Sequence, residues 1–154
     1  MNTITCTTEI AASREQVFDL IQDESKVGLW MEGVEQLVFQ ENEKEVGVHF
    51  TQHVREGRHL HSYSGEIIQF DPPREYGIWV GNEAFMMQVL YTLEDSGNSC
   101  TLNYEARIIQ ANWFVGLLAG LFKFMTKRLL RRHMANLKQL AENGFVEESV
   151  PALS

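Results

Sequence analysis

Apolar residues fall at every second position in the first ten residues. Ile4, Cys6, Thr8 and Ile10 alternate within Asn2 to Ile10, the period of a strand with one covered face. The pattern then changes. Ser13-Arg14-Glu15-Gln16 reads as a capping box: the Ser13 hydroxyl accepts the backbone N–H three residues on, and Gln16 reaches back. Val17, Phe18, Leu20 and Ile21 follow at helical spacing, so a short amphipathic helix is expected to end near Gln22. A second short helix is expected from Glu24 to Trp30, stopping near Gly33.

From Val34 to Ile109 the period returns to two, broken only by turn signals. Strands are expected over Val34–Glu41, Val46–Arg55, His59–Phe70, Arg74–Val80, Ala84–Glu94 and Ser99–Ile109. The breaks between them are Asn42-Glu43-Lys44, Glu56-Gly57-Arg58, Asp71-Pro72-Pro73, Gly81-Asn82 and Asp95-Ser96-Gly97-Asn98. Gly57 suits a tight hairpin because it adopts a positive φ without strain. Two consecutive prolines remove two ladder donors and end a strand. Each connection is hairpin length, which makes the sheet antiparallel.

After Gln110-Ala111-Asn112 the spacing is helical again and holds to Asn143-Gly144, a good C-terminal stop. At about 100° per residue, Leu118, Phe122, Met125, Leu129, Leu137 and Leu140 form one stripe, with His133 inside it. A sheet with one apolar face needs a cover, and this helix is the element able to supply it. Residues 113–124 are apolar nearly all round, with Gly116 and Gly120 among them. The order is therefore β-α-α, six further strands and a long helix. One α+β domain is expected over 1–144, with a flexible tail over 145–154.

Bulk properties narrow the picture. A length of 154 residues fits one domain, and the 44% hydrophobic and 22% charged content is that of an ordinary soluble protein. The net charge of −8 is unevenly spread. Between Trp113 and Asn143 six basic residues face Glu142 alone, giving +5 and leaving −13 on the remainder. An acidic chain is a poor candidate for nucleic acid. The opening residues have neither a basic region nor an apolar core of a secretory leader, so a cytoplasmic location is expected. Cys6 and Cys100 are too few for a disulfide framework and lack zinc spacing.

Four of the five histidines, His49, His53, His59 and His61, sit on two strands joined at Gly57. No HExxH or CxxC accompanies them, so no metal is expected. His49 and His53 alternate with Val48, Phe50 and Val54 and belong on the polar face. Counting back from Ile67 in twos gives Gly65, Tyr63, His61 and His59. If Ile67 faces inward without a bulge, Tyr63 and His61 do too, as polar handles in an apolar interior. Tyr91 and His133 are further handles of that kind. The bland alternative is that their polar atoms are satisfied by the protein itself.

Several of these residues also match a known pattern. Ile10-Ala11-Ala12-Ser13 with Val17-Phe18 behind it, Asp23 followed by Trp30, Gly65-Glu66-Ile67 running into Asp71-Pro72-Pro73-Arg74, Tyr91-Thr92-Leu93 before Gly97, and a helix ending Leu137-Lys138-Gln139-Leu140-Ala141-Glu142 resemble the START/Bet v 1-like superfamily, in particular its bacterial polyketide cyclase/dehydrase and lipid-transport branch. The resemblance covers nearly the whole chain and rests on core and turn residues, not catalytic ones. It implies a helix-grip fold, a curved antiparallel sheet of about seven strands closed by the long helix over an apolar cavity. It also implies a small hydrophobic ligand (lipid, isoprenoid or aromatic polyketide-like) and no cofactor. The positions expected to line such a cavity are His61, Tyr63, Ile67, Trp79, Phe85, Met87, Tyr91 and Tyr104 from the sheet. Leu118, Phe122, Met125, Leu129 and His133 are expected from the helix. The superfamily's sheet also sets the Cys6 and Cys100 strands side by side.

Three readings follow: a non-catalytic binder or carrier, a cyclase/aromatase-like enzyme using His61, Tyr63 or His133, and an interaction or stress-response module. In the last, Trp113–Phe124 beside the basic residues would make a transient contact with an anionic membrane or a protein. The oligomeric state is left open by the residues.

Overall fold

The computed structural model describes residues 3–83, 85–111 and 127–143. Strand β1 (Thr3–Ile10) leads into α1 (Arg14–Gln22) and the single turn α2 (Val27–Trp30). Six strands follow: β2 (Val34–Phe39), β3 (His49–Glu56), β4 (His59–Asp71), β5 (Glu75–Gly81), β6 (Phe85–Asp95) and β7 (Cys100–Ala111). Residues 127–143 form a helix, α3. The seven strands make one antiparallel sheet in the order β1-β7-β6-β5-β4-β3-β2. This is the helix-grip architecture. The segment Trp113–Phe124, the helix positions Leu118, Phe122 and Met125, and the expected tail over 145–154 lie outside the described residues.

Local sequence explains the elements. The capping box is complete: the Gln16 N–H donates to Ser13 Oγ at 3.2 Å, and the Ser13 N–H donates to Gln16 Oε1 at 3.1 Å. It places Val17, Phe18 and Ile21 on the buried side. The second helix is shorter than expected, because Asp23 and Ser25 close a turn first: Asp23 Oδ1 accepts from both the N–H and the hydroxyl of Ser25. Gly57 takes φ 65° at the β3–β4 hairpin. Strand β3 begins at His49, three residues later than its alternation suggests, and Val46 is left exposed in the preceding loop.

Register shifts interrupt the ladders between Val34 and Gln36, Ile67 and Gln69, and Met86 and Met87. Each such irregularity bends its strand and adds twist, so the sheet curls around its apolar face. On that face Phe50 lies so close over Gly65 that a Cβ there would come within 2.1 Å of the ring. The core gathers Ile10, Val17, Trp30, Ile67, Leu102 and Leu137, each almost fully buried.

Helix α3 is held from both flanks. On one side, Arg132 Nη1 donates to both Glu32 carboxylate oxygens at 3.1 Å, and Asn136 Nδ2 donates to the Trp30 carbonyl at 3.2 Å. On the other, Lys138 Nζ donates to the Glu9 carbonyl at 2.8 Å, and Glu142 accepts the Ala11 N–H at 2.8 Å. Its buried stripe is Leu130, Met134, Leu137 and Ala141. Of the expected stripe's described leucines, Leu137 belongs to it, Leu140 packs half-buried against the core, and Leu129 is 41% exposed. The helix is rolled relative to the expectation, because these two sets of pins fix its rotation.

Cys6 and Cys100 do lie on adjacent strands, but Cys6 is opposite Tyr104 and Cys100 opposite Ile10. Four register steps, about 13 Å of strand, separate them, and both are free thiols.

Candidate ligand-binding site

The inner face of the sheet and the buried side of α3 do not close on each other completely. Between them lies a cavity of about 190 Å³. Strands β3 to β7 contribute Gln52, Val54, Tyr63, Ile78, Val80, Gly81, Met87, Val89, Tyr91 and Tyr104. The α2 turn adds Trp30 and Met31, and α3 adds Leu129, Leu130, His133 and Met134. Strand alternation explains the sheet positions, since residues two apart share a face.

Six expected residues are in this lining: Tyr63, Met87, Tyr91, Tyr104, Leu129 and His133. Four are not. His61 has the expected face, with its ring 6.3 Å from that of Tyr63, but it is exposed and lies beyond the lining residues on β4. Ile67 also faces inward but is packed solid in the core at 0% exposure. Phe85 stands beside Tyr63, ring centroids 6.0 Å apart, outside the lining. Trp79 is on the opposite face. Its Nε1–H donates to Glu66 Oε1 at 3.1 Å, and its ring meets His49 edge-on at 6.4 Å. The alternation of Tyr76, Ile78 and Val80 carried that signal, because it leaves Trp79 on the outer side. Leu118, Phe122 and Met125 fall outside the described residues.

Aromatic rings form the cavity's inner wall. Tyr91 sits edge-on to Tyr104 at 5.3 Å and to Trp30 at 6.5 Å, and stacks against Tyr76 at 6.1 Å. The Trp30 Nε1–H is satisfied by the Leu20 carbonyl at 2.9 Å. The phenols of Tyr91 and Tyr104 have no hydrogen-bond partner among the described residues. Neither oxygen is sealed off, since Arg14 Nε is the one described side-chain nitrogen or oxygen both buried and unpartnered. Burial raises the pKa of both phenols well above the ordinary tyrosine value.

Two more polar side chains face the cavity. The Gln52 amide donates through Nε2 to Met31 Sδ at 3.5 Å, a weak acceptor, and its carbonyl oxygen has no partner among the described residues. His133 Nε2 accepts the Glu32 backbone N–H at 3.1 Å. An accepting Nε2 is unprotonated, so the neutral ring carries its proton on Nδ1. Burial holds the His133 pKa below its ordinary value of 6.5, against the opposing pull of Glu32. Met31, Gln52, Val54, Ile78, Val80, Gly81, Val89, Leu130 and Met134 are lining residues that sequence reasoning missed. Among the described residues, the lining contains no acid, lysine, arginine, serine or cysteine. Nor is any described group of three or more His, Cys, Asp or Glu side chains placed to hold a metal, and no described helix is long and apolar enough to cross a membrane.

A curved antiparallel sheet gripping one helix over an apolar cavity defines the Bet v 1-like class of proteins. Within it, the family "Polyketide cyclase / dehydrase and lipid transport" matches residues 1–142, and the chain belongs to that family. Solved structures agree on the fold. A protein from Thermus thermophilus is 13% identical, with 90% of this chain and 95% of that one covered and a TM-score of 0.72. The Zhui aromatase/cyclase from a Streptomyces species is 12% identical, with coverages of 92% and 94% and a TM-score of 0.72. Norcoclaurine synthase from Thalictrum flavum is 16% identical, with coverages of 90% and 85% and a TM-score of 0.66. No curated sequence matches the chain.

Proposed function

We propose that the protein binds or carries a small hydrophobic ligand in this cavity without transforming it. The observation that carries the reading is an apolar cavity in which Tyr91, Tyr104 and Gln52 hold polar atoms unpartnered among the described residues. Pockets of this make-up, apolar with a few placed polar groups, are the usual form of small-molecule sites. A ligand's hydroxyl or carbonyl can pair with these atoms in place of water.

Catalysis is the weaker reading. General acid–base work needs a group that titrates near the working pH and is oriented toward the reacting atom. The phenols are pushed away from neutrality, and the basic nitrogen of His133 is occupied by the Glu32 N–H. His61, the other candidate, is exposed and outside the lining.

Native mass spectrometry of gently purified protein, with a thermal-shift screen of fatty acids, isoprenoids and aromatic polyketides, tests the reading. A retained adduct, or a class of compounds that raises Tm by several degrees, is the expected result. Turnover of a polyketide-like substrate that is lost in His133→Gln would favour the enzyme instead. Absence of any adduct and any shift would rule the binding reading out.

A further inference from the structure

We infer that the cavity selects an uncharged, compact aromatic molecule bearing one hydroxyl or carbonyl oxygen, held by Tyr91, Tyr104 and Gln52. This rests on the binding reading above and narrows it by charge, size and shape.

Charge is the strongest restriction. No described lining side chain is formally charged at neutral pH. The Arg132 guanidinium beside His133 is already matched by the Glu32 carboxylate. A carboxylate or phosphate entering here would give up its hydration with no counter-charge to replace it, a penalty that a neutral molecule avoids.

Size and shape narrow the class further. The volume of about 190 Å³ is below the roughly 300–1,000 Å³ usual for drug-sized ligands, which favours a compact molecule. Five rings (Trp30, Tyr63, Tyr91, Tyr104, His133) and three thioethers surround it. Ring edges and sulfur atoms pack favourably on a flat aromatic face.

The polar atoms then specify the oxygen. Tyr91 and Tyr104 are directly opposed in the β6–β7 ladder, so both rise from the same face. Their protonated phenols are donors to a carbonyl or hydroxyl oxygen, and the Gln52 carbonyl is an acceptor for a ligand hydroxyl.

Calorimetric titration of the full chain at pH 7.5 tests the inference with four probes: 2-naphthol, naphthalene, 2-naphthoate and dodecanoate. We expect 2-naphthol to bind one to one and at least tenfold more tightly than 2-naphthoate or dodecanoate. In Tyr91→Phe/Tyr104→Phe, naphthol affinity should fall at least fivefold while naphthalene affinity stays within twofold. Gln52→Leu, which leaves the rings intact, should also weaken naphthol selectively. Equal or tighter binding of 2-naphthoate or dodecanoate would overturn the inference while leaving the binding reading standing. So would unchanged naphthol affinity in both variants. Failure of all four probes would overturn the inference, and failure of the wider adduct and thermal-shift screen as well would overturn both.

Discussion

His133 shows how one side chain joins the fold to the cavity. Its ring lines the cavity, meets Trp30 edge-on at 6.4 Å, and accepts the Glu32 N–H. Protonation would turn that acceptor into a donor facing a donor. Because burial lowers the folded pKa below 6.5, the unfolded chain takes up the proton first as pH falls. The stability contributed by the neutral ring is therefore present above about pH 6.5 and lost below it, until the folded pKa is passed. We predict that wild type loses more unfolding free energy between pH 7.5 and 5 than His133→Gln, measured by urea denaturation. Gln can still accept from the Glu32 N–H but does not titrate. Parallel losses in the two proteins would contradict this. Cys100 makes a different point about burial: it is fully enclosed and its thiol is pushed up to about 11, so it serves as core and not as a nucleophile.

At the scale of elements, α3 carries the main lesson about what the residues could reveal. Helical period alone located the helix and its amphipathic character. It did not locate the roll, because Leu129 and Leu130 are adjacent leucines and the basic residues cover an arc wide enough to permit either stripe. What settles the roll is tertiary: Arg132, His133 and Asn136 grip residues 30–32, while Lys138 and Glu142 grip residues 9–11. Those pairs are at least a hundred residues apart in sequence and leave no local trace. Side chains on a helix also lean toward its N-terminus, so a given spot is covered by a residue about one position later than a wheel suggests. The consequence is measurable. Leu137→Ala should cost about 2–5 kcal/mol, while Leu129→Ala, at a partly exposed position, should cost less than about 1 kcal/mol. Equal costs by chemical denaturation would argue for the unrolled stripe. The capping box of α1, by contrast, is wholly local, which is why four residues sufficed to read it.

At the scale of the molecule, alternation, turn residues and one long helical period were enough for the fold, because each is a short-range consequence of covering one sheet face. The cavity was less legible. Whether an inward residue meets a neighbour or an empty space depends on how bulges curl the sheet, and Ile67 and Tyr63 share a strand face yet only Tyr63 reaches the cavity. Alternation sets Gln52 on the same face as Val48, Phe50 and Val54, but nothing local shows that an empty space lies against that amide. The central claim is that this space exists to be filled by a ligand. Val89, 3% exposed and in the lining, offers the most direct test. Val89→Phe should occupy the space from within, with Ile78→Phe as a second filling variant should the first disturb packing. The account predicts native near-UV circular dichroism, an unchanged or raised Tm, and loss of the ligand-induced thermal shift seen in wild type. A shift of undiminished size in a correctly folded filled variant would show that the ligand binds elsewhere and contradict the account.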